Sequence, residues 1–262
     1  MSSTPPVSLD RKGAIAIITL DRPERRNSLG TAFSTTLLAV FDKALEDAEL
    51  GAIILTGRGS VFCSGGDIRE IMSTDPRPIE QDFELVLGFN RAVARIRGCP
   101  IPVVGAINGP AVGGGAALAM ACDFALASPG ATYDFLFDRA GLSSADMGCA
   151  FMLARAVGPM RASRILFTGA SLAADELVAL GLVTEVVPVH ALLARALEVA
   201  ERVAAGPLWA TKATKLALRR SEAIDFETAI EYEAYVQSAI MASAEHKRRL
   251  QGLLDQMARA KK

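Results

Sequence analysis

Hydrophobic and polar positions alternate along this chain in two periods, and the period switches repeatedly before about residue 187. Residues 13–20 (GAIAIITL) form a β-branched run that stops at the turn signal Asp21-Arg22-Pro23, which predicts a strand running into a loop. Over residues 31–48 the apolar positions Leu37, Leu38, Phe41, Ala44, Leu45 and Ala48 recur at three and four residues, a helical face, and residues 52–56 (AIILT) predict a short buried strand. The order then repeats as a glycine-rich loop (GRGSVFCSGGD), a helix near residues 79–97, a strand at 102–107, a second glycine-rich loop opening a helix, and a strand at 123–127. Such alternation predicts an α/β fold.

After about Val187 the strand signals stop, and residues 191–205, 207–219, 224–242 and 244–260 all read as helices. The expected division is an α/β core over residues 1–200 and a helical C-terminal region over 201–262, with Gly206-Pro207 as the hinge. No repeat of fixed period and no low-complexity segment interrupts this order.

Composition narrows the function classes. Hydrophobic residues at 51% and charged residues at 22% are those of a globular chain, and a formal charge of −1 leaves no phosphate-neutralising surface for nucleic acid. The basic residues Lys247, Arg248, Arg249, Arg259, Lys261 and Lys262 read as a solvated helix face. Cys63, Cys99, Cys122 and Cys149 are dispersed and accompanied only by His190 and His246, which argues against a zinc or iron site and suits free thiols in a reducing cytoplasm. The opening MSSTPPVSLDRKG lacks the apolar core of a signal peptide, and the small-apolar run over 111–122 is well short of the ~20 residues of a membrane span. A cytoplasmic protein away from the membrane is expected.

Two segments carry the candidate chemistry. Phe62-Cys63-Ser64-Gly65-Gly66-Asp67-Ile68 follows a strand and opens a predicted helix, so its first N–H groups lack intrahelical partners. Ile107-Asn108-Gly109-Pro110-Ala111-Val112-Gly113-Gly114-Gly115 repeats that arrangement, with glycines that let a ligand approach the backbone. No Gly-Lys-Ser/Thr follows either cluster, and the triplet lacks the spacing of a dinucleotide fingerprint.

Together with ITLDRPERRNSL, AIILTGRGSVFCSGGDI, INGPAVGGGAALAMACDFALAS, GLSSADMGCAFMLARAVG and ASRILFTGASLAADELVALGLVTEVV, the pair resembles the enoyl-CoA hydratase/isomerase (crotonase) superfamily over nearly the whole chain. The resemblance implies a crotonase-like spiral of ββα units, a C-terminal helical region used in trimer contacts, and homotrimers or hexamers of two trimers. It implies an acyl-CoA thioester as substrate, with coenzyme A part of that substrate and no further cofactor. It places the family's oxyanion hole on the backbone N–H groups of Gly66 and Gly114. Asp67 then reads as a helix-end ligand, Ile68 as a neighbour of the substrate, and Arg25, Arg26 and Arg69 as candidate partners of coenzyme A phosphates.

The chain departs from the family's hydratases at both water-holding glutamates. The first falls on Ala117 and the second on Phe137, or on Asp138 if the gap moves by one. What remains is Asp146, at the spacing of the catalytic aspartate in relatives such as dienoyl-CoA isomerases and haloaroyl-CoA dehalogenases. By sequence alone it also reads as the N-cap of an apolar helix. Set among Phe135, Phe137 and Met147, its carboxylate is expected to be desolvated and a stronger base. One carboxylate suffices to move a proton from carbon to carbon, which favours double-bond isomerisation. Hydration with Asp138 orienting water, and a non-catalytic acyl-CoA-binding role, are the alternatives. Cys149 reads as a buried structural thiol, and Ser143 and Ser144 as possible lining of the acyl pocket.

Overall fold

Residues 5–71 and 78–260 are described by the structure, a computed structural model of the chain. Lys261 and Lys262 of the basic tail, and residues 72–77, lie outside the described residues. In chain order the elements are β1 (Val7–Lys12), β2 (Ile15–Leu20), α1 (Phe33–Leu45), β3 (Ala52–Gly57), α2 (Ile68–Ile71), α3 (Ile79–Arg97), β4 (Val103–Ile107), β5 (Ala111–Val112) and α4 (Gly114–Ala121). There follow β6 (Phe124–Ala127), β7 (Thr132–Asp134), α5 (Cys149–Val157), α6 (Pro159–Phe167), β8 (Ser171–Ala173), α7 (Ala174–Ala179), β9 (Glu185–Val186), α8 (Val189–Ala204), α9 (Leu208–Arg220), α10 (Phe226–Ala242) and α11 (Ala244–Ala260).

The main sheet has the order β1-β2-β3-β4-β6-β9 and is antiparallel only between β1 and β2. Its central strands are covered on both sides. Ile53, Leu55 and Val103 pack with Phe33, Leu37, Phe41, Phe89 and Leu118 of α1, α3 and α4. Ile54, Val104 and Leu126 pack with Leu192, Ala196 and Ala200 of α8. Strands buried on both faces read as unbroken apolar runs, and this is why residues 52–56 and 102–107 are legible as strands.

β5, β7 and β8 form a second sheet of two- and three-residue strands, too short for any periodicity to announce them. β1 is likewise unannounced: it is an edge strand with only Val7 buried, and its outer residues are polar. The expected boundary at residue 200 falls inside α8, whose Ala196 and Ala200 belong to the core beneath the sheet. The helix ends at Ala204, and Gly206-Pro207 separates it from α9.

Asp123 ties α9 to the core. Asp123 Oδ2 accepts hydrogen bonds from the Val103 N–H (2.7 Å) and from Lys215 Nζ (2.7 Å), while Oδ1 accepts from Arg219 (3.0 Å). Lys215, the buried side chain of α9, also donates to the Ile101 carbonyl at 2.9 Å. A buried cation with two oxygen partners fixes where α9 meets the start of β4.

Candidate active site

The two glycine-rich loops leave the C-terminal ends of neighbouring parallel strands, β3 and β4, and they converge. The Val112 N–H donates to the Cys63 carbonyl at 2.8 Å, and the Phe62 N–H donates to the Pro110 carbonyl at 3.1 Å. Gly115 is needed for the approach: a Cβ there would lie 2.2 Å from the Cys63 carbonyl oxygen. Gly65, at φ +80°, would place a Cβ 2.6 Å from the Val112 carbonyl oxygen and 3.6 Å from the Gly114 nitrogen. The chain around Gly66 is therefore in contact with the start of α4.

On its other side the first loop is held by the segment after β2. The Leu29 N–H donates to the Gly65 carbonyl (2.8 Å), and the Asp67 N–H donates to the Leu29 carbonyl (3.0 Å), a parallel bridge around Gly66. Asn27, buried and at φ +54°, donates its amide to the carbonyls of Arg58, Val61 and Phe62. Gripped from both flanks, Gly66 keeps its own N–H unpaired, and so does Gly114 at the first position of α4, where no intrahelical acceptor exists. Neither amide has an acceptor among the described residues.

Asp146 reaches this place through its neighbour. Met147 is buried at φ +49°, and its sulfur sits 2.7 Å from where a Cβ on Gly114 would lie. The N-cap of α5 is Gly148, also at positive φ, and the helix starts at Cys149, so Asp146 is not the N-cap. The two left-handed residues stop the helix from extending back to it. Among the described residues its Oδ1 accepts only the Met147 N–H, at 2.7 Å. Burial pushes the Asp146 carboxyl above its ordinary value, and that single hydrogen bond only partly offsets the rise. The result is a half-buried carboxylate, short of hydrogen-bond donors, on the residue that precedes Met147.

The side chain of Asp67 does not serve as the expected helix-end ligand. It accepts from Ser28 Oγ (2.9 Å) and Arg25 (3.2 Å) and lies 3.6 Å from Arg22. Burial opposes ionisation of Asp67, yet Ser28 and the two arginines outweigh it and hold the carboxyl below the usual range. Glu70 binds the same two guanidinium groups, Arg22 at 2.7 Å and Arg25 at 2.8 Å. Arg25 is thus occupied by carboxylates, whereas Arg26 and Arg69 are exposed. Ile68 is also exposed, at the start of α2. Ser28, Arg22 and Glu70 had no sequence signal of their own, because their partners are about 40 residues away.

Phe137 and Asp138 turn opposite ways. The Phe137 ring lies 3.6 Å from where a Cβ on Gly113 would be, on the second loop, while the exposed Asp138 carboxylate rests against Gly169 beyond α6. Ala117 is fully buried in α4. Ser143 and Ser144 line a cavity of about 430 Å³ with Ala150, Ala154, Leu166 and Phe167, not one that contains the glycine loops. Cys149 is buried, and burial together with Asp146 pushes its thiol up to about 12. Cys63 and Cys122 are likewise pushed up to about 12 by burial. All four thiols are therefore expected to resist iodoacetamide at pH 8 in the native protein and to react on unfolding, which mass spectrometry of alkylated peptides would report.

Among the described residues no group of three or more His, Cys, Asp or Glu side chains converges to hold a metal ion, and no helix is long and apolar enough to cross a membrane.

Comparison with known proteins is consistent across sequence and fold. A family model described as enoyl-CoA hydratase/isomerase matches residues 10–259. The short-chain-enoyl-CoA hydratase of Clostridium acetobutylicum is 33% identical over 229 residues, covering 87% of this chain and 86% of that protein. The 4-chlorobenzoyl coenzyme A dehalogenase-2 of an Arthrobacter species is 31% identical over 241 residues, covering 92% and 86%. The solved enoyl-CoA hydratase of Bacillus anthracis superposes with a TM-score of 0.90 at 30% identity, covering 96% of each chain. The crotonase-like α/β fold with a helical C-terminal region is thus the fold present.

Proposed function

The chain belongs to the enoyl-CoA hydratase/isomerase family, and we propose that it binds an acyl-CoA thioester with the carbonyl oxygen between the amides of Gly66 and Gly114, where Asp146 moves a proton from one carbon to another. What supports this reading is that the two glycine loops touch, that the Gly66 and Gly114 N–H groups have no acceptor among the described residues, and that Asp146, its carboxyl raised by burial, precedes the Met147 that packs on Gly114. Asp146 accepts the proton next to the thioester carbonyl, the electron pair moves onto the oxygen as an enolate, and the same carboxyl returns the proton at the far end of the conjugated system. Each amide contributes on the order of 3–4 kcal/mol once negative charge develops on that oxygen. Proton transfer by the carboxylate contributes about 10²–10⁴-fold.

Isomerisation is favoured over hydration because Ala117 and Phe137 occupy the positions where the hydratases carry glutamates, and neither can exchange a proton. Hydration keeps a claim because relatives of this chain are enoyl-CoA hydratases. Asp138 is its candidate water-orienting group, although its carboxylate faces Gly169. Exposed Arg26 and Arg69 are the guanidinium groups proposed for coenzyme A phosphates. A homotrimer or hexamer is proposed from α10 and α11, which bury no side chain in the single chain and leave Phe226, Leu253, Leu254 and Met257 exposed.

The test is a panel of acyl-CoA thioesters incubated with the enzyme in deuterated water and read by mass. Exchange next to the carbonyl with a shifted double bond is the expected result. A gain of water from crotonyl-CoA that is lost in Asp138→Ala would establish the hydratase instead, and tight binding without any exchange would leave a non-catalytic binder.

The pH dependence follows from the direction of the Asp146 shift. The base works only as carboxylate, so kcat/KM is expected to fall on acidification with an apparent pKa above the ordinary 3.8. An acid limb at or below 3.8 would remove Asp146 from the role.

A further inference from the structure

The Gly65 carbonyl and the Gly66 N–H belong to one peptide unit, and a planar trans peptide points them in opposite directions. The Leu29 N–H holds that carbonyl at 2.8 Å, so it also aims the Gly66 N–H away from residues 28–31. The unit does not fix its own direction. Glycine stands on both sides of it, and with no Cβ to restrain the backbone the peptide plane rotates easily unless a neighbour holds it.

The hold by Leu29 is cross-tied by side chains. Ser28 and Asp67 are both more than nine-tenths buried, and the Ser28 hydroxyl donates to Asp67 Oδ2 at 2.9 Å. Arg25 donates to the same oxygen at 3.2 Å, Arg22 lies 3.6 Å from it, and Arg22 also donates to the Ser28 carbonyl at 3.5 Å. Glu70 accepts from both guanidinium groups and from the Thr31 N–H at 3.3 Å. Two carboxylates stand against two guanidinium groups, so the cluster has no surplus charge with which to attract an anion. Its bonds run instead between residues 28–31 and residues 67–70, the segments on either side of the bond from Leu29 to Gly65.

We propose that Ser28 and Asp67 are positioning residues for the reaction, holding the Leu29 N–H on the Gly65 carbonyl and so fixing the direction of the Gly66 amide, an inference that rests on the thioester site proposed above. The first loop has other anchors. Asn27 holds the carbonyls of Arg58, Val61 and Phe62, and the Val112 N–H holds that of Cys63. Loss of the bond between Ser28 and Asp67 therefore leaves the loop in place and releases one peptide plane.

The test reads that amide directly. Butanoyl-CoA with carbon-13 at the thioester carbonyl is bound to the full-length wild type, Ser28→Ala, Asp67→Ala and Asp67→Asn, and the carbonyl stretch is followed by isotope-edited infrared spectroscopy. In the wild type the stretch is expected below that of butanoyl-CoA in buffer, and in Ser28→Ala and Asp67→Ala to move back toward it. On the thioester that shows deuterium exchange, kcat is expected to fall about tenfold or more in both variants while KM stays within about twofold. Asp67→Asn keeps an oxygen for the Ser28 hydroxyl and is expected to lie between the wild type and Asp67→Ala. A residue that only supports the fold would lower the melting temperature and leave the stretch of the bound thioester where it is. Ser28→Ala removes one hydroxyl and no charge, so it carries the test even if Asp67→Ala impairs folding. A stretch in Ser28→Ala equal to that of the wild type overturns the proposal and leaves the thioester site standing, and so does a KM that rises while kcat holds. No lowering of the stretch in the wild type overturns both.

Discussion

Asp146→Asn is expected to lose about 10²–10⁴-fold in kcat/KM, the range for removal of a general base, while its melting temperature stays equal to the wild type or rises. The two halves have one cause. In the folded chain the Asp146 carboxyl titrates above its ordinary 3.8, chiefly through burial. Between the unfolded and the folded pKa the native state holds more protons than the unfolded chain, so stability declines as pH rises through that window. At neutral pH the ionised carboxylate is a net cost to folding. Asparagine removes the charge and keeps an oxygen for the Met147 N–H, so the left-handed turn at Met147 and Gly148 is retained. Solvent screens part of the shift because the group is only half-buried, so the direction is the firm expectation. Loss of activity together with a lowered melting temperature would mark a structural residue and leave the base to be sought elsewhere.

The candidate site is only partly legible in the chain. Gly66, Gly114 and Asp146 stand as candidates because each sits in a short motif that resembles the family's. What surrounds them is not legible in this way. Ser28 and Asp67 lie 39 residues apart, and Arg22 and Glu70 lie 48 apart, and it is the pairing of β2 with β3 that brings them together. A local pattern contains no term for such a contact. The N-cap reading of Asp146 failed for a different reason: helix propensity carries backward from Cys149 without sensing that Met147, packed on Gly114, takes a positive φ. Phe137 and Asp138 make the same point at shorter range. One residue of register decides which of them faces Gly113 and which faces Gly169, and the gap counting that placed a glutamate on either could not choose.

The convergence of the loops leads to the second large effect, at a residue that supplies neither amide. Gly115→Ala is expected to lower kcat by about 10²–10³-fold, the loss that follows removal of one oxyanion donor. It is also expected to destabilise the fold by about 1–3 kcal/mol, as overpacking does. The added methyl would stand 2.2 Å from the Cys63 carbonyl oxygen and 3.0 Å from its carbonyl carbon. Those are main-chain atoms, and the same carbonyl is held by the Val112 N–H at 2.8 Å, so it cannot swing aside without parting the loops. The clash at Gly114 is of another kind: its 2.7 Å neighbours are the ends of Leu29 and Met147, which can rotate away. Gly114→Ala is therefore expected to disturb the Asp146 turn through Met147 while costing the fold less than Gly115→Ala. Gly252→Ala, in exposed α11 with nothing within 4 Å of the new methyl, is the control for helix propensity and should stabilise by about 0.5–1 kcal/mol. Steady-state kinetics and urea melts on the three variants separate the cases. A Gly115→Ala protein that kept wild-type kcat would show that the spacing between Gly66 and Gly114 does not matter to the reaction, and the shared grip on the thioester oxygen would have to be abandoned.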